Sequence, residues 1–492
     1  MPPSSRRSKR LLRDTLLALA AASFVATFVP RARADSGAPP GQATDATPPD
    51  ESLLGTVDVN GSAEGLPPLP KMGVVPIITT GTADNVVNLV VRRDMELSGQ
   101  FDVLDENASP PGPFTHASAL DLVAWRDKTA EYVLRVYAQP AANDSTKTEL
   151  VGEAYLTPTP AQAAAQKARA AASGASAVPA DSKPAARLSV VTSTLEVRAA
   201  SHRLVDQILG ALTGRPGGFA SQMTYAEKVG RWRRVFAIDA DGFDLRALGP
   251  TNATAISPSF GPGDQIYYAI SQDYSPFRLA YGPSATPVAV QVPGSIMGLA
   301  FSRDRTKLAL TVMTEGRGEV WIGDKDHLTP MASPPFANHP AFGPMGKVAY
   351  VAGTPVQRIY VDGKAISPPG FMASAPVFCD TPQGLLVVYT VGVGAGADII
   401  ATDTGGGGLR RLTQHEGANT YAACSSDGRL VAFFSTGKRK RAQGADARDD
   451  AGAGLFIMPI QRPWLAKKIS GEVGESLRWE PITSPAQGSS SK

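Results

Sequence analysis

The sequence predicts an all-β six-bladed β-propeller with an N-terminal mixed α/β domain, preceded by a signal peptide and a disordered linker. The first observation is a repeat in which a bulky residue precedes a polar turn and a strand-length apolar run, as around Asp427-Gly428. Six such anchor residues can be aligned: Phe260, Phe301, Phe342, Phe378, Cys424 and Trp479. Their spacings of 41, 41, 36, 46 and 55 residues fit the period of about 40 to 50 residues that propeller blades produce. Chance hairpins in an all-β sandwich are the alternative.

The two ends of the repeat region supply the second observation. Three strand candidates within residues 221–248 precede the first anchor, whereas only Leu477–Ile482 remains around the last one. The sequence therefore predicts a propeller over residues 219–482 in which one blade takes strands from both ends. Such closure ties the ring together and removes exposed sheet edges.

Residues 72–213 form the predicted α/β domain, because apolar residues there change between strand and helix spacing. Residues 158–186, rich in Ala and Pro, interrupt it as a solvated insertion in which Ala161–Ala172 is a possible exposed helix. The predicted elements in order are strand Val74–Ile78, helix Asp84–Leu97, strand Phe101–Leu104, helix Leu120–Lys128, strand Tyr132–Ala138, a hairpin of Glu149–Leu156 with Leu188–Arg198, and helix Ser201–Leu212.

The N-terminus predicts export. A basic segment precedes the apolar run Leu16–Val29, and Ala32 and Ala34 suit cleavage that would make residues 1–34 a signal peptide. A retained membrane anchor is the alternative, although 14 residues are short for a membrane span. The whole chain has a net charge of +3, but residues 1–34 alone carry +6, so the remaining chain has a net charge of −3. This charge gives no electrostatic argument for nucleic-acid binding.

A Pro-rich flexible arm is predicted over residues 35–71, with a short strand at 56–61. This strand either adds to the sheet edge of a partner protein or docks on its own domain. At the other end, residues 483–492 are predicted to be a disordered tail.

Catalytic and metal motifs are missing from the sequence. It contains no G-x-S-x-G, no H-x-x-x-H and no C-x-x-C, which predicts a protein that is not an enzyme and has no cofactor. The two cysteines, Cys379 and Cys424, are expected to be buried unpaired thiols, with a disulfide as the alternative that export would permit. A propeller that binds a small ligand or sugar in its central channel, with hydrolase or lyase activity, is the alternative function.

The mouth of the propeller is the predicted binding surface. Polar side chains just before the inner strands are expected to meet a protein partner there, and solvated loop tips are the alternative. The candidates are Asn338, His339, Asn419, Thr420 and Glu475.

Taken together, these parts resemble the TolB family of the bacterial Tol-Pal envelope system. The similar segments are Gly73-Val74-Val75-Pro76, Leu97–Asp105, Leu209–Gly214 and the turn Ser425-Ser426-Asp427-Gly428. The resemblance implies a non-catalytic, monomeric periplasmic adaptor without direct membrane insertion. It also implies binding of the peptidoglycan-associated lipoprotein at the propeller funnel, and of a TolA-like inner-membrane protein through Val57, Asp58 and Val59. Such an adaptor would support outer-membrane integrity and envelope constriction at division.

Overall fold

The computed structural model describes residues 49–55, 66–79, 81–173, 183–414, 417–437 and 452–481. All of them belong to one unit that begins at Pro49. The predicted signal peptide, the strand at 56–61 and the tail at 483–492 lie outside the described residues. Among the described residues, no helix combines the length and apolar content needed to cross a membrane.

The N-terminal domain is a five-stranded sheet with helices, as predicted. The strands have the order β2-β1-β3-β4-β5, parallel from β2 to β3 and antiparallel from β3 to β5. The strands are β1 Lys71–Val74, β2 Asp102–Val103, β3 Tyr132–Ala141, β4 Asp144–Leu156 and β5 Ala186–Thr192. The helices are α1 Thr82–Ser98, α2 Leu122–Asp127, α3 Pro160–Ser173 and α4 Val197–Thr213.

Several element bounds in this domain differ from the prediction, and two of these differences have a clear physical reason. The first strand ends at Val74 rather than Ile78, since Pro76 has no N–H to donate to a neighbouring strand. The second strand of the predicted hairpin was expected to reach Arg198, but β5 ends at Thr192 and α4 starts at Val197. The first turn of α4 buries Val197 and Ala200, so packing of the helix face determines this boundary.

The propeller has six four-stranded blades. Strands β6 Gln222–Val229, β7 Trp232–Asp239 and β8 Arg246–Leu248 join β29 Glu475–Trp479 in one sheet, which confirms the predicted closure from both ends of the ring. The other blades are β9 Thr254–Phe260, β10 Ile266–Ser271, β11 Arg278–Tyr281 and β12 Thr286–Pro287; β13 Ser295–Phe301, β14 Leu308–Thr314, β15 Arg317–Gly323 and β16 Leu328–Pro330; β17 Asn338–Phe342, β18 Val348–Ala352, β19 Arg358–Val361 and β20 Lys364–Ala365; β21 Ala373–Thr381, β22 Gly384–Val393, β23 Gly396–Asp403 and β24 Arg410–Arg411; and β25 Asn419–Cys424, β26 Leu430–Ser435, β27 Gly454–Pro459 and β28 Lys467–Ser470.

The two cysteines form a disulfide, so the expectation of unpaired thiols is wrong. Cys379 lies on β21 and Cys424 on β25, the inner strands of consecutive blades, with their Cα atoms 5.5 Å apart. Inner strands converge around the propeller axis, and this brings equivalent positions of adjacent blades within the Cα separation that a disulfide requires.

Part of the arm predicted to be flexible is docked on the propeller. Residues Glu51–Leu54 form a short 3₁₀ helix, which begins where the Asp50 carboxylate accepts a hydrogen bond from the Ser52 N–H at 2.9 Å. Leu54 is fully buried in the same apolar cluster as Ile366 and Phe371. Burial of one leucine stabilises the contact by about 1.5 to 3 kcal/mol, enough to hold this end of the arm against the propeller.

Candidate functional site

The six inner strands surround a central channel. A cavity of about 160 Å³ lies on this axis, and every blade contributes to its lining. All six anchor residues that were aligned in the sequence line it: Phe260, Phe301, Phe342, Phe378, Cys424 and Trp479. The repeat therefore marks equivalent positions around one axis, as predicted.

One residue breaks the pattern at the position just before each anchor. Five blades place a small neutral side chain at this level of the channel, whereas the sixth places an arginine. The six residues are Ser259, Ala300, Ala341, Val377, Ala423 and Arg478. Burial lowers the pKa of Arg478 to about 10, and Nη1 donates a hydrogen bond to the Leu477 carbonyl at 3.1 Å.

The inner strands change register toward the mouth of the channel. In every blade a register shift lies within the five residues before the anchor. The residue three positions before the anchor has a positive φ in five blades: Ser257, His339, Ala375, Tyr421 and Ser476. Bulges of this kind turn side chains away from the regular strand alternation, and they determine which residues the mouth presents.

Asn338 and His339 occupy one bulge, and both are half-buried. Asn338 donates through Nδ2 to the Phe336 carbonyl at 3.1 Å, while its Oδ1 has no hydrogen-bond partner among the described residues. The buried Nδ1 atom of His339 likewise has no partner in the described part of the chain. Burial, with a smaller effect from Arg478, lowers the pKa of His339 to about 4, so its imidazole is neutral at pH 7.

Thr420 and Glu475 stand at corresponding places in the last two blades. Both are half-buried, and the Glu475 carboxylate pairs with Arg233 Nε at 2.7 Å. Burial raises the pKa of Glu475, against the lowering effect of Arg233. These two side chains are accessible at the same end of the propeller as His339.

Asn419 is not available at the mouth, which contradicts its prediction as a surface residue. It is only 4% exposed, and its Nδ2 donates to Asp398 Oδ1 at 3.2 Å and to the Ala397 carbonyl at 3.3 Å. Asp398 in turn accepts hydrogen bonds from Arg411 and Thr413. Asn419 therefore joins two blades. Val57, Asp58 and Val59 lie outside the described residues.

Sequence reasoning missed Arg478, Arg233 and Tyr421. Tyr421 has a positive φ of 55°. Burial raises its pKa, and the nearby charges of Glu475 and Arg233 also affect this pKa, in opposite directions. The signal for Arg478 was present, because an arginine stands one position before an anchor where the other blades have Ser, Ala or Val. Recognising it required knowing that this position faces the channel.

A second cluster of charged groups joins the α/β domain to the propeller. His202 on α4 contacts Asp94 on α1, with Nδ1 and Oδ2 2.6 Å apart, and its Nε2 lies 4.0 Å from Asp239 on β7. Arg198 bridges to the propeller, since its Nη2 bonds to the Asp241 carboxylate and its Nε lies 3.4 Å from Asp239.

Among the described residues, Asp94, His202 and Asp241 form the one group whose side-chain donors have a spacing suited to a metal ion. Two guanidinium groups already contact Asp241 of this group. Arg198 pairs with the Asp241 carboxylate, and Arg93 donates to the Asp241 carbonyl at 2.8 and 3.0 Å. A divalent cation would have to compete with both fixed positive charges, so the group is better described as an ion-pair network that holds the two domains together.

The N-terminal domain and the propeller can each be compared with known proteins. Residues 57–151 match the TolB amino-terminal domain. In this region the chain is similar to the TolB family. It is 24% identical over 226 residues to the Tol-Pal system protein TolB of Methylococcus capsulatus, and 27% identical over 196 residues to that of Thiobacillus denitrificans. These alignments cover 43% and 39% of this chain, and the chain spans 44% and 39% of the length of those relatives.

The crystal structure of TolB from Acinetobacter baumannii has the same fold. It superposes with a TM-score of 0.64 at 18% sequence identity, covering 85% of this chain and 98% of that chain. At this identity the likeness establishes the architecture alone. Because the chain spans less than half the length of these Tol-Pal system relatives, its role and its partners require their own argument.

Proposed function

We propose that this chain is a non-catalytic periplasmic adaptor of the Tol-Pal system that binds the peptidoglycan-associated lipoprotein at the mouth of its propeller. The match of residues 57–151 to the TolB amino-terminal domain carries the proposal, because it stands directly before a propeller with the TolB fold. The disulfide between Cys379 and Cys424 also favours an oxidising compartment such as the periplasm.

The chemistry of the mouth supports a protein partner. Asn338 Oδ1 and His339 Nδ1 are buried polar atoms without partners in the described structure, and an incoming polypeptide can satisfy them. Thr420 and Glu475 add further polar groups at the rim. Such half-buried groups give an interface specificity, since a partner that fails to bond them leaves them unsatisfied.

The lipoprotein contact can be tested with a bulky substitution in the mouth. Thr420→Arg should weaken binding of the purified periplasmic domain of the lipoprotein by at least about tenfold in calorimetric titration, because it fills the mouth of the channel. Thr286→Arg is the matched control, since Thr286 is exposed on the outermost strand of the first blade. A folded wild-type protein that does not bind this lipoprotein would refute the proposal.

The N-terminal segment is proposed to recruit a TolA-like inner-membrane protein through Val57, Asp58 and Val59. Alternating apolar residues there suit addition to a sheet edge of the partner. Replacing Val57 and Val59 together by Asp should abolish capture of the TolA-like domain while leaving lipoprotein binding intact. Ala46→Asp, which adds a charge outside the alternating segment, should change neither interaction.

The same variants connect the two contacts to the proposed cellular role in outer-membrane integrity and constriction at division. Cells that carry Thr420→Arg should become sensitive to detergent and divide late, whereas cells with Thr286→Arg should resemble the wild type. Light scattering of the purified protein should give the mass of a monomer. A detergent-resistant Thr420→Arg strain that had lost lipoprotein binding would separate the contact from the cellular role.

A further inference from the structure

We propose that the central channel contains a binding site for a small carboxylate, with Arg478 as its charged ligand. The argument rests on the six equivalent positions just before the anchors, where Ser259, Ala300, Ala341, Val377 and Ala423 are small and neutral and only Arg478 is charged. The small side chains leave the space, and the arginine supplies a charge that faces it.

The charge of Arg478 is not balanced by the groups around it. Asp380 also lines the cavity, but it lies between Arg303 at 3.6 Å and Arg215 at 3.9 Å. Near the same end of the channel, Glu480 lies 3.7 Å from Arg305. Among the described residues, no carboxylate forms an ion pair with Arg478, whose pKa is lowered by burial alone. A half-buried charge without a counter-charge has lost part of its hydration, so an anion from outside stabilises it.

The size and chemistry of the cavity define the ligand class. The cavity volume of about 160 Å³ equals that of about five water molecules in the liquid. This size suits a carboxylate on a short carbon chain. The planar guanidinium binds the two oxygens of a carboxylate with parallel hydrogen bonds. Toward the mouth, His339 is neutral and adds no competing charge near Arg478.

The site can be tested with acetate as the probe at constant ionic strength, balanced with chloride. Calorimetric titration of the full chain should give one saturable acetate site, and Arg478→Met should weaken its affinity by at least about tenfold. Arg317→Met is the matched control, because Arg317 is an exposed arginine at the start of β15. Equal acetate affinity in the wild type and Arg478→Met would overturn the proposal, as would a salt effect without saturation.

A second experiment distinguishes a free anion from the carboxylate side chain of a bound protein. This experiment rests on the proposed function. The lipoprotein domain is added to the acetate-saturated chain. Release of acetate, together with weaker lipoprotein binding by Arg478→Met, assigns the carboxylate to the partner. Simultaneous binding of both assigns it to a free small molecule. Failure of the lipoprotein to bind refutes the adaptor proposal and leaves the acetate result standing, since the first titration contains no partner.

Discussion

Charged side chains are withdrawn from water in two regions of the molecule. One is the joint, the cluster of Asp94, Arg198, His202 and Asp241 that links the two domains, and the other is the central channel. The two regions differ in how these charges are paired. At the joint, Asp241 is fully buried but bonded to Arg198 through its carboxylate and to Arg93 through its carbonyl. In the channel, Arg478 has a carbonyl of its own strand as its hydrogen-bond partner and small neutral residues around the ring. At the joint, the protein itself supplies the counter-charge of Asp241, whereas Arg478 in the channel has no counter-charge among the described residues.

This difference separates a structural role from a binding role. The desolvation of an ion is offset only where partners replace its water, and the joint supplies those partners from both domains. The six anchor strands supply Arg478 with the Leu477 carbonyl as a hydrogen-bond partner, but among the described residues they supply no carboxylate that pairs with it. Buried charges that a protein pairs internally hold its parts together, while a half-buried charge that lines a cavity without a counter-charge is available to a ligand.

The largest effect should come from breaking the joint. Asp241→Asn removes a fully buried carboxylate that pairs with the half-buried Arg198 and should lower the free energy of unfolding by about 3 kcal/mol, measured by urea denaturation. Asp244→Asn is the control, because Asp244 is an exposed neighbour whose pairing with Arg246 is on the surface. That variant should change stability by less than about 0.5 kcal/mol. Similar losses in the two variants would show that the joint is no tighter than the surface.

A smaller effect concerns pH at the joint. Burial opposes protonation of His202, but the Asp94 carboxylate outweighs it and raises the pKa of His202 above its ordinary 6.5. Burial likewise raises the pKa of Asp94 to about 6, although His202 lowers it. Both raised values favour the protonated forms in the folded state, so this stabilisation is present at low pH. It is lost as pH rises through about 6 for Asp94 and beyond 6.5 for His202.

His202→Gln tests this pH dependence, because glutamine stays neutral throughout. The variant should lose about 2 kcal/mol of stability at pH 6.5, the contribution of a hydrogen bond to a charged group, and its stability should then fall less steeply between pH 6.5 and 8.5. Urea denaturation at a series of pH values measures both quantities. His327→Gln, at an exposed histidine 3.1 Å from Asp324, should keep the wild-type slope. Parallel curves for wild type and His202→Gln would exclude His202 as the source.

The sequence predicted the six-bladed propeller better than it predicted which residues line the mouth and the channel. Spacing of the anchors and the shortage of strands after Trp479 were enough to predict six blades and their closure, because both are properties of the chain order. Helix α1 was also predicted within two residues at its start, since its apolar residues recur at helical spacing.

Local register was harder to predict. Asn419 was expected at the mouth, but the strand pairing of β25 shifts between Thr420 and Ala423 and leaves Asn419 bonded to the neighbouring blade. A bulge changes which side chains face outward, and the sequence has no clear signal for it. The joint was missed for another reason: Asp94, His202 and Asp241 come from two domains and lie 39 to 147 residues apart along the chain, without any shared motif.

The smallest expected effect belongs to the channel and completes the contrast with the joint. Because Arg478 makes no ion pair with the described residues, Arg478→Met removes a desolvated charge without leaving another one unpaired, and stability should change by less than about 1 kcal/mol or rise slightly. The pKa of His339, now about 4, should increase but stay below 6.5, since burial is its larger cause and remains. NMR titration of the His339 ring protons measures this shift, and Arg317→Met should leave it unchanged. A loss of several kcal/mol in Arg478→Met would mean that the arginine is compensated within the fold, and the channel would then resemble the joint.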